Sequence, residues 1–312
     1  MKQYRKKAKQ PKLAMGQKRA RTVANTIIYV ILSIMMIVWI LPFILLVIES
    51  LRVAPKMQIG HFITGTTEWG LGSYIALFDG SDSNVTFLRW YGNTFVTAIF
   101  TAAFQTIFIL AMAYALSRLR FKGRKFLMNF MLILGMFPGF LSMILLYKVF
   151  SWANMTQGPA DWWMLFFQGS VPSLVIVYCA SSGMGYYVSK GYFDTIPRSL
   201  DEAARVDGAN RFQVFYKIII PLSKPIVIYT ILTGFMGPWG DYMFASYIAH
   251  GNKYGYNVAS GIQNMVGTQE AKNARYTMFC AAGVLVALPV TTLFMFLQRY
   301  YVEGVTGGAV KG

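Results

Sequence analysis

The residue that most needs a chemical explanation is Asp241, an ionisable side chain in the interior of a long apolar run. A charged group at the centre of a bilayer costs roughly 2.5–3.5 kcal/mol, so it should face a bundle interior or a water-filled path. The preceding Gly237 and Pro238 can break a helix at this point. We therefore name Gly237, Pro238, Trp239, Asp241 and Tyr242 as candidates for lining a path. The other explanation is that Asp241 only caps the backbone groups freed at the Pro238 kink.

A second candidate is the polar stretch 191–225, which reads GYFDTIPRSLDEAARVDGANRFQVFYKIIIPLSKP. It is too long for a simple turn between two apolar runs, and it has helical signals of its own. Pro197 suits the first turn of a helix, and Gly208 predicts where that helix ends. Asn210 can cap a second helix, which we expect to continue until Pro221.

The first of these two helices combines acidic and small residues. Asp201 and Glu202 come early in it, where the helix dipole favours acids. Ala203 and Ala204 form a small-residue face beside Glu202, and such a face lets another surface approach closely. The spacing therefore favours a docking element or a plain helix on the membrane surface, and it leaves both open.

Signals for catalysis, metal binding or nucleotide binding are missing from the sequence. The apolar runs contain no carboxylate pair, histidine cluster or nucleophile next to a base, which argues against a membrane-embedded enzyme. Cys179 and Cys280 lie in apolar runs, and His61 and His250 have no second ligand at metal spacing. No Gly-Lys dipeptide occurs, so a Walker A phosphate loop is excluded. We predict no cofactor and no metal in this chain.

The composition indicates that lipid surrounds the helices that position the candidate residues around Asp241 and in the stretch 191–225. Of the 312 residues, 55% are hydrophobic and only 13% are charged, whereas about 25% of a typical soluble domain is charged. The net charge of +17 comes from lysines and arginines that lie between apolar runs and form no continuous stripe. That distribution orients membrane proteins, and it argues against nucleic acid as a partner.

Six apolar runs are long enough to cross a bilayer, and we predict a transmembrane helix in each. A helix satisfies its own backbone groups within lipid, and the runs lack the alternating pattern of barrel strands. The fold class is therefore predicted to be all-α and integral to the membrane. The predicted spans are 27–48, 94–116, 126–149, 171–188, 226–249 and 278–297.

The basic residues predict the orientation of the chain. Most of the 29 lysines and arginines lie before the first span, in the second-to-third and fourth-to-fifth connections, and after the sixth span. The positive-inside rule then places both termini in the cytoplasm. We predict a basic cytoplasmic arm over 1–25, a six-helix domain over 26–300 that includes the cytoplasmic loop 191–225, and a cytoplasmic tail over 301–312. The first run is expected to be a retained helix, since it is too long for a signal peptide.

The cytoplasmic loop also resembles a known family. The order Glu202-Ala203-Ala204 followed by Asp207-Gly208 lies within EAARVDGANRFQVFYKIIIPLSKP, which matches the EAA loop of ABC importer permeases without a gap. The closest likeness is to the carbohydrate group, the second permease subunit of maltose and maltodextrin importers. Trp-Gly-Asp-Tyr at 239–242 resembles the Trp-Asn-Asp-Phe element of sugar permeases, with Gly240 in place of Asn. The ending GVTGGAVKG at 304–312 resembles that of the maltose-type subunit.

The resemblance implies a function and a set of partners. A second permease subunit, expected to be a different chain, would complete a path for an oligosaccharide such as a maltodextrin, delivered by an extracellular solute-binding protein. Two separate ATPase subunits would bind the ATP and dock at the loop. The residues that would couple the ATPase subunits to the permease are Glu202, Ala203, Ala204, Asp207 and Gly208. Glu202 would pair with a charge on the ATPase, Ala203 would pack closely against it, and Gly208 would form the turn that orients the helix. The chain would lie in a bacterial inner or plasma membrane.

One alternative is an ion-coupled secondary transporter that uses Asp241 for proton or cation coupling. It would work without an ATPase, and loop 191–225 would then have no purpose. The sequence does not identify the sugar.

Overall fold

The computed structural model describes residues 15–53, 68–80, 82–136, 139–153 and 170–309. Residues 1–14 of the predicted basic arm, His61 and Pro138 lie outside this part, as do the last three residues of the predicted tail. Within the described ranges the chain is helical apart from turns and an isolated bridge between Arg52 and Trp69. The prediction of an all-α chain is confirmed.

The described part of the chain forms a series of helices, numbered in chain order. They are α1 (Met15–Ser50), α2 (Gly72–Phe78), α3 (Phe87–Arg118), α4 (Arg124–Gly135), α5 (Gly139–Trp152), α6 (Ser170–Ala180), α7 (Gly183–Asp194), α8 (Ser199–Val206), α9 (Arg211–Val214), α10 (Ile220–Leu222), α11 (Lys224–Gly240), α12 (Met243–Ala249), α13 (Val258–Met265) and α14 (Gln269–Ala309). A π-helical turn (Phe215–Ile219) joins α9 to α10, and a 3-10 turn (Lys253–Gly255) lies between α12 and α13.

The chain divides into two compact units, Met1–Glu49 and Ser50–Gly312. The first contains nearly all of α1, whose apolar side chains are exposed all round from Val23 to Phe43. A helix that is apolar on every face needs lipid or protein around it, which agrees with the predicted first span. The grouping of six helices into one domain over 26–300 stays a prediction.

Helix α3 is the centre of the second unit and packs against α6, α7 and α11. Its close approach to α11 depends on small residues, because a Cβ on Gly234 would lie 3.0 Å from the Cα of Ala102. Small residues at helix contacts are typical of membrane bundles. Buried threonines satisfy their hydroxyls locally, as when Thr97 donates to the carbonyl of Asn93 at 2.7 Å.

Three described helices are each long and apolar enough to cross a membrane, namely α1, α3 and α14. They contain the predicted first, second and sixth spans. Each of the other three spans was predicted as one helix, with a break allowed at Gly237 and Pro238 in the fifth, and the structure divides all three. The fourth is split into α6 and α7, which are bent by 44°. The third is divided between α4 and α5, on either side of the undescribed residues 137–138.

The predicted fifth span is split because the helix stops before Asp241. Helix α11 ends at Gly240, and Asp241 has an extended backbone with φ −81° and ψ 103°. The stretch Arg211–Leu222 meets Lys224–Gly240 at 85°. Counting each bent pair as one span gives up to five spans within the described residues. The count of six and the cytoplasmic position of the termini stay predictions.

Candidate functional site

Helix α8 is the short helix that the loop 191–225 predicts. Its end follows the local signal at Gly208, whereas it starts two residues after Pro197, which was expected in its first turn. It covers Ser199–Val206, with Asp201 and Glu202 in the first turn. Gly208 has a left-handed backbone (φ 85°), and its N–H donates to the carbonyl of Arg205 at 3.0 Å. The predicted stop at Gly208 is confirmed. Pro197 lies just outside the helix, where its carbonyl accepts a bond from the Leu200 N–H.

The second helix of the loop begins where the capping signal places it. The Asn210 side chain accepts from the Gln213 N–H at 2.8 Å, and the Gln213 side chain accepts from the Asn210 N–H at 2.8 Å. This reciprocal capping box confirms the predicted start. The helical stretch continues one residue past the predicted end at Pro221, to Leu222, after the π-helical turn at Phe215–Ile219.

The two alanines of α8 lie on different faces, which corrects the prediction of a shared small-residue face. Ala204 is buried among Phe193, Ile196 and Val214, whereas Ala203 is exposed. Successive residues of an α-helix point about 100° apart, so two neighbours cannot share one narrow face. The exposed side of α8 carries Glu202 and Ala203, with Asp207 and Gly208 exposed just beyond its end.

A buried arginine that the sequence pattern did not single out fixes α8 to α3. Arg118 is the last residue of α3, and its Nη2 donates to the carbonyls of Phe193 (2.7 Å) and Ile196 (2.8 Å). Its Nη1 lies 3.5 Å from Oδ2 of Asp201, and both side chains are less than a tenth exposed. Breaking a buried pair by removing one partner typically costs about 3–5 kcal/mol.

Two further contacts attach the same region to the end of α3. The Tyr114 hydroxyl donates to the carbonyl of Arg211 at 3.0 Å. Ser117 Oγ donates to Oδ1 of Asp194 at 2.6 Å, and Lys190 Nζ lies 2.5 Å from the other oxygen of that carboxylate. The end of α3 therefore contacts α7, α8 and the start of α9.

The surroundings of Asp241 match the capping explanation. Oδ1 accepts from the Phe244 N–H at 3.1 Å, at the start of α12. Oδ2 accepts from the Tyr178 hydroxyl on α6 at 2.5 Å. The side chain of Asn257 bridges the broken ends, donating to the carbonyls of Pro238 (3.1 Å) and Asp241 (2.6 Å). Both carboxylate oxygens therefore accept hydrogen bonds at the break, as the capping explanation expects.

The five candidate path residues do not form one surface. Pro238 and Trp239 are buried, and the Trp239 ring packs against Tyr91 with centroids 5.2 Å apart. Gly237 and Tyr242 are exposed. The described residues also contain no group of three metal ligands. Whether a path passes these residues stays a prediction.

The chain resembles transport proteins over most of its length. A family model described as "Binding-protein-dependent transport system inner membrane component" matches residues 107–307. The maltodextrin transport system permease protein MdxG of Bacillus subtilis (strain 168) is 32% identical over 302 residues, covering 96% of this chain and 100% of the relative. The corresponding MalD protein of Streptococcus pneumoniae is 39% identical over 238 residues, covering 75% of this chain and 79% of the relative.

A third curated relative is the galactooligosaccharides transport system permease protein GanQ of Bacillus subtilis (strain 168). It is 36% identical over 239 residues, which are 77% of this chain and 79% of the relative. Among solved structures, a bacterial ABC transporter involved in alginate import matches with a TM-score of 0.70 at 21% identity. That match covers 94% of this chain and 100% of the other. The solved structure supports the fold.

Proposed function

Because the chain belongs to the family of binding-protein-dependent transport system inner membrane components, we propose that it forms the translocation path of an ATP-driven importer together with a second permease subunit. The chain is a multi-pass membrane protein and a transport permease of the ABC type. The members of this family are membrane components of transport systems and not enzymes, and the same holds for this chain. We assign it to a bacterial inner or plasma membrane.

The substrate that we propose is an oligosaccharide delivered by an extracellular solute-binding protein. The support is that relatives aligned over three quarters or more of this chain are permeases for maltodextrins and galactooligosaccharides. The second permease is proposed to be a different chain, so that the two form a heterodimer. We propose that ATP binds to two separate ATPase subunits and that this chain itself holds no cofactor.

The observation that carries the coupling proposal is the division of α8 into an anchored side and a free side. Asp201 and Ala204 are buried and fixed to the rest of the protein. Glu202 is exposed, and within the described part of the chain its carboxylate makes no hydrogen bond or ion pair. We propose that Glu202 pairs with a basic group of the ATPase, that Ala203 packs closely there, and that the Gly208 turn sets the direction of α8.

Replacing Glu202 by alanine in the assembled importer tests this proposal. We expect oligosaccharide uptake to fall at least about tenfold, since removing one member of a desolvated interface pair costs about 2–5 kcal/mol. Uptake into vesicles and recovery of the ATPase with the permease pair are the measurements. Insertion should be unchanged, because the Glu202 carboxylate makes no hydrogen bond or ion pair within the described part of the chain. Glu270→Ala removes an exposed acid at the start of α14 and is the matched control. Normal uptake and ATPase recovery in Glu202→Ala would contradict the proposal.

Replacing Asp241 by asparagine separates the importer from the ion-coupled alternative, which the relatives do not support. Asparagine keeps an oxygen that can accept from the Phe244 N–H or the Tyr178 hydroxyl, so we expect uptake within about twofold of the wild type. A transporter that moves protons or cations through this carboxylate would lose uptake. The measurement is ATP-driven uptake in vesicles, alongside uptake driven by an ion gradient without ATP. Gradient-driven uptake that Asp241→Asn abolishes would overturn our choice.

A further inference from the structure

Beside the exposed side of α8 lies a polar cleft of about 340 Å³, which we call the arginine cleft. Five arginines and two acids line the cleft. They come from the end of α3 and the residues just after it, from α8 and the residue before it, and from the start of α9. The charged residues of the lining are Arg118, Arg120, Arg198, Asp201, Glu202, Arg205 and Arg211. The Arg198 guanidinium donates to the carbonyl of Ser117 at 3.4 Å.

The charges of the arginine cleft are only partly neutralised. Arg118 and Asp201 pair with each other at the buried end. The guanidinium groups of Arg120, Arg205 and Arg211 are exposed, and within the described part of the chain they make no hydrogen bond or ion pair. Three free cations thus line the same cleft as the free carboxylate of Glu202. A surface with this pattern complements one that carries several carboxylates around a single cation.

We propose that the arginine cleft receives acidic side chains of the ATPase subunit, while Glu202 accepts a basic side chain of the same surface. This inference rests on the proposed function and adds the chemistry of the partner: carboxylates that the planar guanidinium fork can bind in bidentate geometry. Four charged contacts of mixed sign would also fix the direction in which the ATPase meets α8, which a single pair at Glu202 would not do.

The lining of the cleft favours a protein over a lipid headgroup. The single apolar residue of the cleft lining is Leu119. A different basic hollow lies over 120–126 and includes Phe121 and Phe126, which are 44% and 74% exposed. Basic groups with exposed aromatic rings are typical of a lipid interface, and the arginine cleft has no such rings.

Charge reversal in the assembled importer tests the inference. The variants are Arg205→Glu and Arg211→Glu, and Lys122→Glu makes the same change at an exposed position outside the cleft lining, in the connection that follows α3. The measurement is the binding of purified ATPase to the detergent-solubilised permease pair over a series of salt concentrations. We expect about tenfold weaker binding and a reduced salt dependence in the cleft variants, and less than about twofold change in the control.

A second measurement keeps the inference falsifiable if the reversed charges disturb assembly. Arg205→Lys keeps the positive charge and introduces an amine, which a carbodiimide joins to a neighbouring carboxylate. We expect a cross-link from position 205 to an acidic residue of the ATPase, located by mass spectrometry, and none from the wild-type arginine. Absence of that cross-link from the intact complex would overturn the inference.

The outcomes separate this inference from the proposed function. Failure of the wild-type permease pair to bind any ATPase would overturn both. If Arg205→Glu and Arg211→Glu bind the ATPase as tightly as the wild type does, only the inference is overturned. Loss of bound anionic lipid from those variants, with unchanged ATPase binding, would also overturn it and identify a lipid headgroup as the occupant.

Discussion

Replacing Arg118 by alanine is expected to abolish coupled uptake and to loosen helix α8. The change removes the donors to the carbonyls of Phe193 and Ile196 and leaves Asp201 buried without its cation. A buried charge pair broken in this way costs about 3–5 kcal/mol. Because α7 and α8 rest on this side chain, we expect the loss to appear as faster hydrogen exchange over 193–209, together with uptake at background level.

The controls for Arg118→Ala separate the loss of its contacts with Phe193, Ile196 and Asp201 from the loss of a positive charge. Lys125→Ala removes an exposed basic residue from the next helix, α4, and should leave both measurements unchanged. Arg118→Lys keeps the charge but loses the planar fork, so it should give an intermediate result. Hydrogen exchange over 193–209 at the same rate in Arg118→Ala and the wild type would show that the contacts of Arg118 do not hold α8.

The parts of the site that could be predicted from the sequence are those that depend on near neighbours. The stop at Gly208 and the cap at Asn210 follow from backbone geometry and from bonds between residues three or four apart. Such signals are complete within a short stretch. The end of α8 and the start of α9 could therefore be predicted from local residue types alone.

The role of Arg118 was not accessible in the same way, because it joins segments far apart in the chain. Arg118 and Asp201 meet only after α3 has packed against α7. In the sequence, Arg118 was one of many basic residues that flank apolar runs. The burial of Ala204 follows from the same tertiary packing, so neighbouring alanines with identical local signals have opposite environments.

Asp241 shows that an apolar run can indicate that a charged side chain needs partners but cannot identify those partners. Its position in an apolar run correctly identified a carboxylate that needs partners. Its partner Tyr178 lies on α6, and Asn257 lies beyond α12, so neither could be assigned from spacing. Hydrophobicity over 226–249 also does not reveal the stop at Gly240, since broken helices in a bundle are as apolar as continuous ones.

Replacing Gly261 by alanine is expected to destabilise the second unit strongly for so small a substitution. A Cβ at Gly261 would lie 2.1 Å from two atoms of the Trp90 ring, well inside van der Waals contact. The ring cannot shift freely, because Trp90 is fully buried and its Nε1 donates to the carbonyl of Lys253 at 2.8 Å. Overpacking of this kind costs about 1–3 kcal/mol, and a rigid indole places Gly261→Ala at the upper end.

The consequence should be local as well as global, because α3 holds the connection before α13. The Asn93 side chain donates to the carbonyls of Tyr254 (3.0 Å) and Tyr256 (2.8 Å), next to the bond from Trp90. Gly92→Ala is the matched control, since a Cβ there meets nothing within 4 Å and alanine favours a helix. We expect a lower thermal midpoint and faster exchange over 253–257 for Gly261→Ala alone. Equal midpoints for the two variants would mean that α13 does not press on Trp90, and that the connection is held by some other contact.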